Sequence, residues 1–92
     1  MPSEWNVIGY VISSKYRLSV LRHLSGDAST PTQLAATIAT STTHVSRALR
    51  QLREWGLVSL AVPDDRRKNR VYELTGRGES VWETIRANDL SA

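Results

Sequence analysis

The sequence predicts a mainly helical α+β domain in which a helix-turn-helix is followed by a two-stranded hairpin. Apolar residues recur every three or four positions through most of the chain, which indicates amphipathic helices. A turn of about three residues joins two of these helices, as in a helix-turn-helix. After Gly56 the apolar period changes to two, which is typical of strands. A chain of 92 residues suits one domain, so we expect residues 1–92 to form a single unit.

Composition and charge narrow the classes of protein to which the chain can belong. Lys and Arg number 12 against 9 Asp and Glu, a formal charge of +3, and ten of the 12 cations are arginines. Arginine suits the recognition of phosphate and guanine, because its planar guanidinium donates two parallel hydrogen bonds. No apolar run approaches the ~20 residues of a membrane span, and the first residues lack the pattern of a signal peptide.

Catalytic and cofactor motifs are not recognised in the sequence. The absence of cysteine excludes disulfides, thiol sensors and zinc-thiolate sites. Gly76 and Gly78 do not complete a glycine-rich phosphate loop, and neither His23 nor His44 lies in a nucleophile motif. We therefore expect a cytoplasmic protein that is not an enzyme and that holds neither a cofactor nor a metal.

Two helices are expected in the first part of the chain. Ser3 is a suitable N-cap residue for the first helix. The apolar stripe of this helix has helical spacing, although its β-branched residues also permit a strand. The stripe comprises Trp5, Ile8, Val11 and Ile12. A second stripe extends from Tyr16 to Leu24, and Gly26 after it is a typical signal for a helix C-terminus.

The helix-turn-helix follows after a loop. Proline is favoured at the first position of a helix, so Pro31 after Thr30 indicates a short helix that ends near Ile38. After the turn, Ser41 is suited to cap a longer helix that ends before Gly56. The apolar face of this longer helix consists of Val45, Ala48, Leu49 and Leu52.

A hairpin and a last helix complete the expected fold. Residues 57–62 and 70–74 have the alternation of strands and are expected to pair, joined by a polar tip. The residues of this region that we expect in the core are Trp55, Tyr72 and Leu74. A turn at residues 75–78 leads into a helix whose apolar face is formed by Val81, Trp82 and Ile85. Residues 88–92 are expected to fray.

The order of these elements resembles that of a known family. It is the order of a winged helix-turn-helix, a three-helix core plus a two-stranded β-hairpin wing, here with amphipathic N- and C-terminal helices. Residues 41–52 (STTHVSRALRQL), the Gly-Leu-Val at 56–58 and residues 70–78 resemble MarR/ArsR-type transcription regulators of bacteria and archaea. Small archaeal winged-helix proteins are the most similar. The resemblance covers roughly residues 14–80.

The resemblance implies a sequence-specific regulator that binds double-stranded DNA. The second helix of such a helix-turn-helix enters the major groove, and here its exposed face carries hydroxyls and arginines with no acid before Glu54. The expected recognition residues are Ser41, Thr42, Thr43, His44, Ser46, Arg47 and Arg50. Taken without the resemblance, the same face fits a solvated surface helix equally well. The alternative function is a winged-helix adaptor that binds other proteins and has no specific DNA binding.

Two interpretations of His44 are open. It can contact a base or a phosphate, or it can pack beside the preceding helix. A metal-binding role is poorly supported, because His23 is the only other histidine and the chain has no thiol. The metal-sensing members of the resembled family need clusters of ligands that this sequence lacks.

The hairpin tip is the second basic element. Its expected DNA-binding residues are Arg66, Arg67, Lys68, Asn69 and Arg70. The resemblance implies a wing that lies along the DNA backbone or inserts an arginine into the minor groove, whose negative potential attracts the cation. The other interpretation is a charged tip that protects an edge strand from pairing with other chains.

The two terminal helices carry apolar faces, and two partners for these faces are open. Related regulators dimerise through such helices, which implies a homodimer interface formed by Trp5, Ile8, Val11, Ile12, Val81, Trp82 and Ile85. The alternative is that these residues pack on the core of their own chain. A symmetric dimer would place two recognition helices about 34 Å apart, matching an inverted repeat with half-sites one helical turn apart.

Overall fold

The described part of the chain, residues 4–61 and 70–90 of a computed structural model, forms five helices and a short hairpin. In chain order the elements are α1 (Glu4–Ile12), α2 (Lys15–Leu24), α3 (Pro31–Ile38), α4 (Thr42–Glu54), β1 (Val58–Leu60), β2 (Tyr72–Leu74) and α5 (Gly76–Ala87). The mainly helical winged helix-turn-helix is confirmed, and the first segment is a helix rather than a strand. Ser3 and the polar hairpin tip lie outside the described residues.

Hydroxyl side chains cap four of the helices, since the first N–H groups of a helix have no partner within it. The cap residues are Ser14 for α2, Thr30 for α3, Ser41 for α4 and Thr75 for α5. At Thr30 the bonds are reciprocal. Its hydroxyl accepts from the Gln33 N–H at 3.1 Å, while its own N–H donates to the Gln33 side chain at 2.9 Å. The predicted starts of α3 and α4 are therefore confirmed.

The turn between α3 and α4 is as short as predicted because its first residue is left-handed. Ala39 has a φ of 62°, and the N–H of Thr40 donates to the Ala35 carbonyl at 3.0 Å, which closes the last turn of α3. Gly56 has a φ of 74° after α4, a conformation that glycine adopts without steric cost. Ala39 thus turns the chain between the two helices of the helix-turn-helix, and Gly56 turns it from α4 toward β1.

The chain after α5 turns back onto the core. Asp89 has a φ of 57°, and the N–H of Leu90 donates to the Ile85 carbonyl at 2.9 Å, as in a Schellman motif. Leu90 then packs, partly buried, against the core. The prediction that the tail frays is wrong for residues 88–90, because these bonds and this apolar contact stabilise the turn.

The hairpin strands are shorter than predicted, with three residues in each described strand. β1 and β2 are antiparallel, and Val58 is paired with Leu74. Ser29 covers the other edge of β2 by exchanging two backbone hydrogen bonds with Tyr72, of 3.1 and 2.9 Å. The sequence does not predict this bridge, since a single residue pair has no periodicity.

The terminal helices contribute to the same core as the helix-turn-helix. Four of the residues predicted to form a dimer surface are at most 2% exposed within one chain, namely Ile8, Val11, Val81 and Ile85. α1 packs against α2 and α5, so these side chains complete the core of the monomer. The dimer prediction is wrong for these four, because their apolar faces are already covered. Trp5 is 62% exposed and Ile12 38% exposed, while Trp82 is partly buried.

Gly78 determines how closely α5 approaches the hairpin. The turn predicted at residues 75–78 is instead the cap and first turn of α5. A Cβ on Gly78 would lie 2.1 Å from the Leu57 carbonyl oxygen, so only glycine permits this approach. Thr75 binds the same segment, with its hydroxyl donating to the Gly56 carbonyl at 2.7 Å and its N–H donating to the Leu57 carbonyl at 3.0 Å.

Candidate nucleic-acid interface

The two faces of α4 separate as the sequence predicts. The buried face consists of Val45, Ala48, Leu49 and Leu52 and packs on α2 and α3. A helix anchored on one side presents its polar side to solvent. Five predicted recognition residues lie together there and line a shallow depression of about 360 Å³, namely Thr42, Thr43, Ser46, Arg47 and Arg50. We call these five residues the recognition face.

The recognition face carries positive charge that no carboxylate of the described residues compensates. Arg47 and Arg50 are three positions apart and so project from neighbouring turns, and neither forms an ion pair with an acid in the described ranges. The hydroxyls beside them donate and accept hydrogen bonds. Guanidinium groups and hydroxyls are the side chains that contact base edges and phosphates in nucleic-acid complexes.

Ser41 and His44 are held at the start of α4. The His44 ring stacks on Tyr16 of α2, with centroids 4.5 Å apart and planes at 10°. Its Nδ1 lies 3.1 Å from the hydroxyl oxygens of both Thr40 and Ser41, and the Ser41 hydroxyl also accepts the His44 N–H at 3.3 Å. His44 therefore packs on α2 and not beside the preceding helix α3, as the second interpretation expects, and its contact with DNA stays a prediction. The residue nevertheless remains exposed.

Arg17, which the sequence analysis does not single out, joins α1, α2 and α4 beside the recognition face. It donates to the Tyr10 carbonyl at 2.8 Å, to the Ser13 hydroxyl at 2.7 Å and to the Gln51 side-chain oxygen at 3.1 Å. Its guanidinium also lies 4.0 Å from the centre of the Tyr10 ring, which stacks on Trp55 at 4.5 Å. No periodicity marks these residues, because the bond to Gln51 joins positions 34 apart.

The predicted wing residues lie mostly outside the described residues. Arg66, Arg67, Lys68 and Asn69 belong to the segment 62–69, of which nothing is described, while Arg70 is half-buried shortly before β2. β1 begins four residues after the end of α4. The hairpin that would carry the wing is thus attached directly to the helix that bears the recognition face.

Neither a metal-binding cluster nor a membrane-spanning helix occurs in residues 4–61 and 70–90. Within these ranges, no three His, Cys, Asp or Glu side chains are grouped so as to hold a metal ion. None of the helices there combines the length and apolarity needed to cross a membrane. His23 lies in the last turn of α2, whereas His44 is bound by hydroxyls at the start of α4.

Together, the fold and the recognition face define a winged helix-turn-helix protein in which the second helix of the motif, α4, is basic. The chain belongs to the HVO_A0261 N-terminal domain family, whose model matches residues 5–89. No curated protein matches the sequence.

Solved structures of MarR-family winged-helix regulators have the same fold. The MarR family transcription regulator SP03579 is 23% identical, with a TM-score of 0.75 over 94% of this chain and 60% of its own. A double mutant of Lactococcus lactis ZitR is 19% identical, with a TM-score of 0.74 over 84% of this chain and 53% of its own. S. aureus MepR in complex with DNA is 17% identical, with a TM-score of 0.73 over 95% of this chain and 75% of its own. The matches therefore span little more than half the length of SP03579 and ZitR, and the predicted resemblance is confirmed in fold.

Proposed function

We propose that this chain is a DNA-binding transcription regulator that places α4 in the major groove of double-stranded DNA. The recognition face carries the proposal, because it combines three hydroxyls with two arginines that pair with no carboxylate of the described residues, on a helix anchored in the core. A fold shared with MepR, which was solved in complex with DNA, supports the binding of DNA by this chain. A helix that is merely solvated would not require its cations to lie together without acids between them.

The proposed roles divide α4 between bases and phosphates. The residues that approach the bases are Thr42, Thr43, His44, Ser46 and Arg47, since the N-terminal part of a recognition helix lies deepest in the groove. Ser41 and Arg50 bind phosphates and so set the register of the helix on the duplex. Arg47 suits a guanine, because a guanidinium donates to its O6 and N7 together.

The wing is the second proposed contact. Four cations lie within residues 66–70 of the hairpin that follows α4. On a duplex, these cations would lie along the backbone or in the narrow minor groove beside the recognition helix, where the negative potential is strongest. Contacts of this kind add affinity without reading the bases directly.

A homodimer on an inverted repeat is the proposed form of the complex. The apolar side chains left outside the core on the terminal helices are Trp5 and Ile12 of α1, and Trp82 of α5 is only partly buried. α1 and α5 pack against each other, and the proposed partner chain contacts both of these helices. Contact with a second chain would remove the 62% exposed Trp5 from water, and two-fold symmetry would match an inverted repeat.

Selection of bound fragments from random duplex DNA tests this function. We expect enrichment of one sequence motif, arranged as an inverted repeat with half-sites about one helical turn apart. A chain that enriches no motif and binds duplexes weakly regardless of sequence contradicts the proposal. Weak binding without an enriched motif would be expected of an adaptor that binds other proteins.

Replacement of Arg47 tests the central contact. Arg47→Ala should weaken binding to the selected duplex by about 1–3 kcal/mol and relax the base preference at one position, because a bidentate contact is lost. Fluorescence anisotropy on the selected duplex and its single-base variants measures both effects. Arg53→Ala is the matched control, since it removes the same charge from the last turn of α4, away from the recognition face. Equal losses and unchanged preference in the two variants would contradict a base contact by Arg47.

A further inference from the structure

A second concave surface lies between the start of α2 and the edge of α4. Its volume is about 270 Å³, and its lining includes Ser14, Tyr16, Arg17, His44, Arg47 and Gln51. We call it the α2–α4 groove. Arg47 lines both this groove and the recognition face, so the two surfaces are continuous.

Side-chain contacts hold the two walls of the groove together. Tyr16 stacks on His44 at 4.5 Å, and Arg17 donates to Gln51 at 3.1 Å. His44, Arg47 and Gln51 are three and four positions apart and so follow one edge of α4, with Arg47 between the two contacts. The groove is therefore preformed, and a ligand does not have to order its walls on binding.

The charge of the groove is positive. Arg17 and Arg47 are cations, and the lining residues include no acid. The partners of Arg17 are a carbonyl, a hydroxyl and an amide oxygen, and no carboxylate in the described ranges pairs with it. These bonds use three of the five N–H groups of a guanidinium. Two donors remain on a guanidinium that is oriented and only partly buried.

We propose that the α2–α4 groove binds a backbone phosphodiester of the DNA duplex through Arg17, beside the bases that the recognition face reads. This inference rests on the proposed function and adds a contact on α2 to those of α4 and the wing. Guanidinium groups bind phosphate oxygens through parallel N–H donors. Because phosphate contacts position a protein without reading sequence, Arg17 orients α4 while Arg47 reads a base.

Arg17→Met tests the phosphate contact, because methionine keeps an apolar stem beside Tyr10 and removes the charge. On the duplex selected by the wild-type chain, the slope of log K against log salt should become shallower by about 0.9. The affinity lost between 50 and 200 mM salt then becomes roughly 3.5-fold smaller. The ratio of affinities for the selected and a scrambled duplex should stay at the wild-type value. Arg22→Met removes the same charge from an exposed position of α2 outside the groove and should leave the slope unchanged.

Two further measurements distinguish the loss of a phosphate contact by Arg17 from a loosening of the packing between α1, α2 and α4. Arg17→Lys keeps the charge but not the set of bonds to Tyr10, Ser13 and Gln51, and it should retain the wild-type slope. Substitution of single backbone phosphates by methylphosphonate should identify one position that weakens the wild-type complex and has no further effect on Arg17→Met.

An unchanged slope in Arg17→Met would overturn this inference but not the proposed function. Methylphosphonate effects that are equal in the wild-type chain and Arg17→Met at every position would do the same. Binding of inorganic phosphate, followed by the 15N resonance of the Arg17 Nε, with no methylphosphonate position coupled to Arg17, would assign the groove to a free anion. That result would also overturn the inference. A wild-type chain that selects no duplex overturns the proposed function, and this inference with it, so the two failures are distinguishable.

Discussion

At Gly78, the absence of a side chain lets α5 lie against the carbonyl of Leu57, where a Cβ would be 2.1 Å from the oxygen. The neighbouring atoms are backbone, so they cannot rotate away as a flexible side chain does. Gly78 lies in the first turn of a helix, where glycine is less favourable than most residues. Its role is therefore to allow the close packing of α5 on the hairpin.

Gly78→Ala should destabilise the chain by about 1–3 kcal/mol, because the added methyl group forces backbone shifts in a packed region. Urea unfolding followed by circular dichroism measures the change. Gly9→Ala is the matched control, since Gly9 is exposed within α1 and its Cβ would contact nothing within 4 Å. It should stabilise the chain by roughly 0.5–1 kcal/mol. The same sign for both substitutions would contradict the close approach.

Arg17, which is partly buried, and His44, which is exposed, show how polar side chains are oriented by neutral neighbours. Each has an aromatic partner, Tyr10 for Arg17 and Tyr16 for His44, and each hydrogen bonds to oxygens that carry no formal charge. An acidic partner would orient the arginine equally well but would cancel its charge. The neutral partners leave the positive field available to an anionic ligand.

Among the elements, α4 combines anchoring and exposure most clearly. Its four buried apolar residues attach it to α2 and α3. The left-handed Ala39 turns the chain, so that only three residues separate the end of α3 from the start of α4. Side chains on such an anchored helix are held more precisely than side chains on a loop. The recognition face therefore has a defined geometry before any ligand binds.

The hairpin that follows α4 should contribute affinity rather than base preference. Arg67→Ala should make the salt dependence of DNA binding shallower by about 0.9 to 1, because one phosphate contact is lost. Anisotropy titrations over a salt series measure this slope, and the selected motif should stay the same. Arg86→Ala removes a cation from α5, where it pairs with Glu83, and should leave the slope at the wild-type value. A changed motif in Arg67→Ala, or an unchanged slope, would contradict the proposed wing.

In the whole molecule, the terminal helices complete the core and also leave some of their apolar side chains exposed to solvent. A small chain buries only a modest fraction of its surface, and the burial of five apolar residues of α1 and α5 adds to that fraction. Trp5 and Ile12 lie on the outer side of α1. Their exposure is the observation on which the proposed homodimer depends.

The double substitution Trp5→Ser and Ile12→Ser should convert a dimer to a monomer without unfolding it, because neither side chain belongs to the core. Sedimentation equilibrium measures the mass, and circular dichroism checks the fold. Ala36→Ser, at an exposed alanine of α3, should leave the dimer intact. A wild-type chain that is monomeric at high concentration and on DNA, or a double variant that still dimerises, would contradict this interface.

The order of the helices, the caps at Thr30 and Ser41 and the separation of the two faces of α4 are predictable from the sequence alone. These features depend on residues within four positions of one another, so they are visible as spacing and residue type. The same local patterns predict that five of the expected recognition residues share one exposed face, and the structure shows them there.

Which apolar faces meet, and which polar side chains become neighbours, follows from the three-dimensional packing and not from local sequence patterns. The stripes of α1 and α5 have the same pattern whether they cover their own core or a second chain, so periodicity cannot distinguish the two. The bond between Arg17 and Gln51 joins positions 34 apart, and the approach of Gly78 to Leu57 depends on how two elements pack. Such contacts arise from the geometry of packing in three dimensions, and a one-dimensional pattern carries no signal for them.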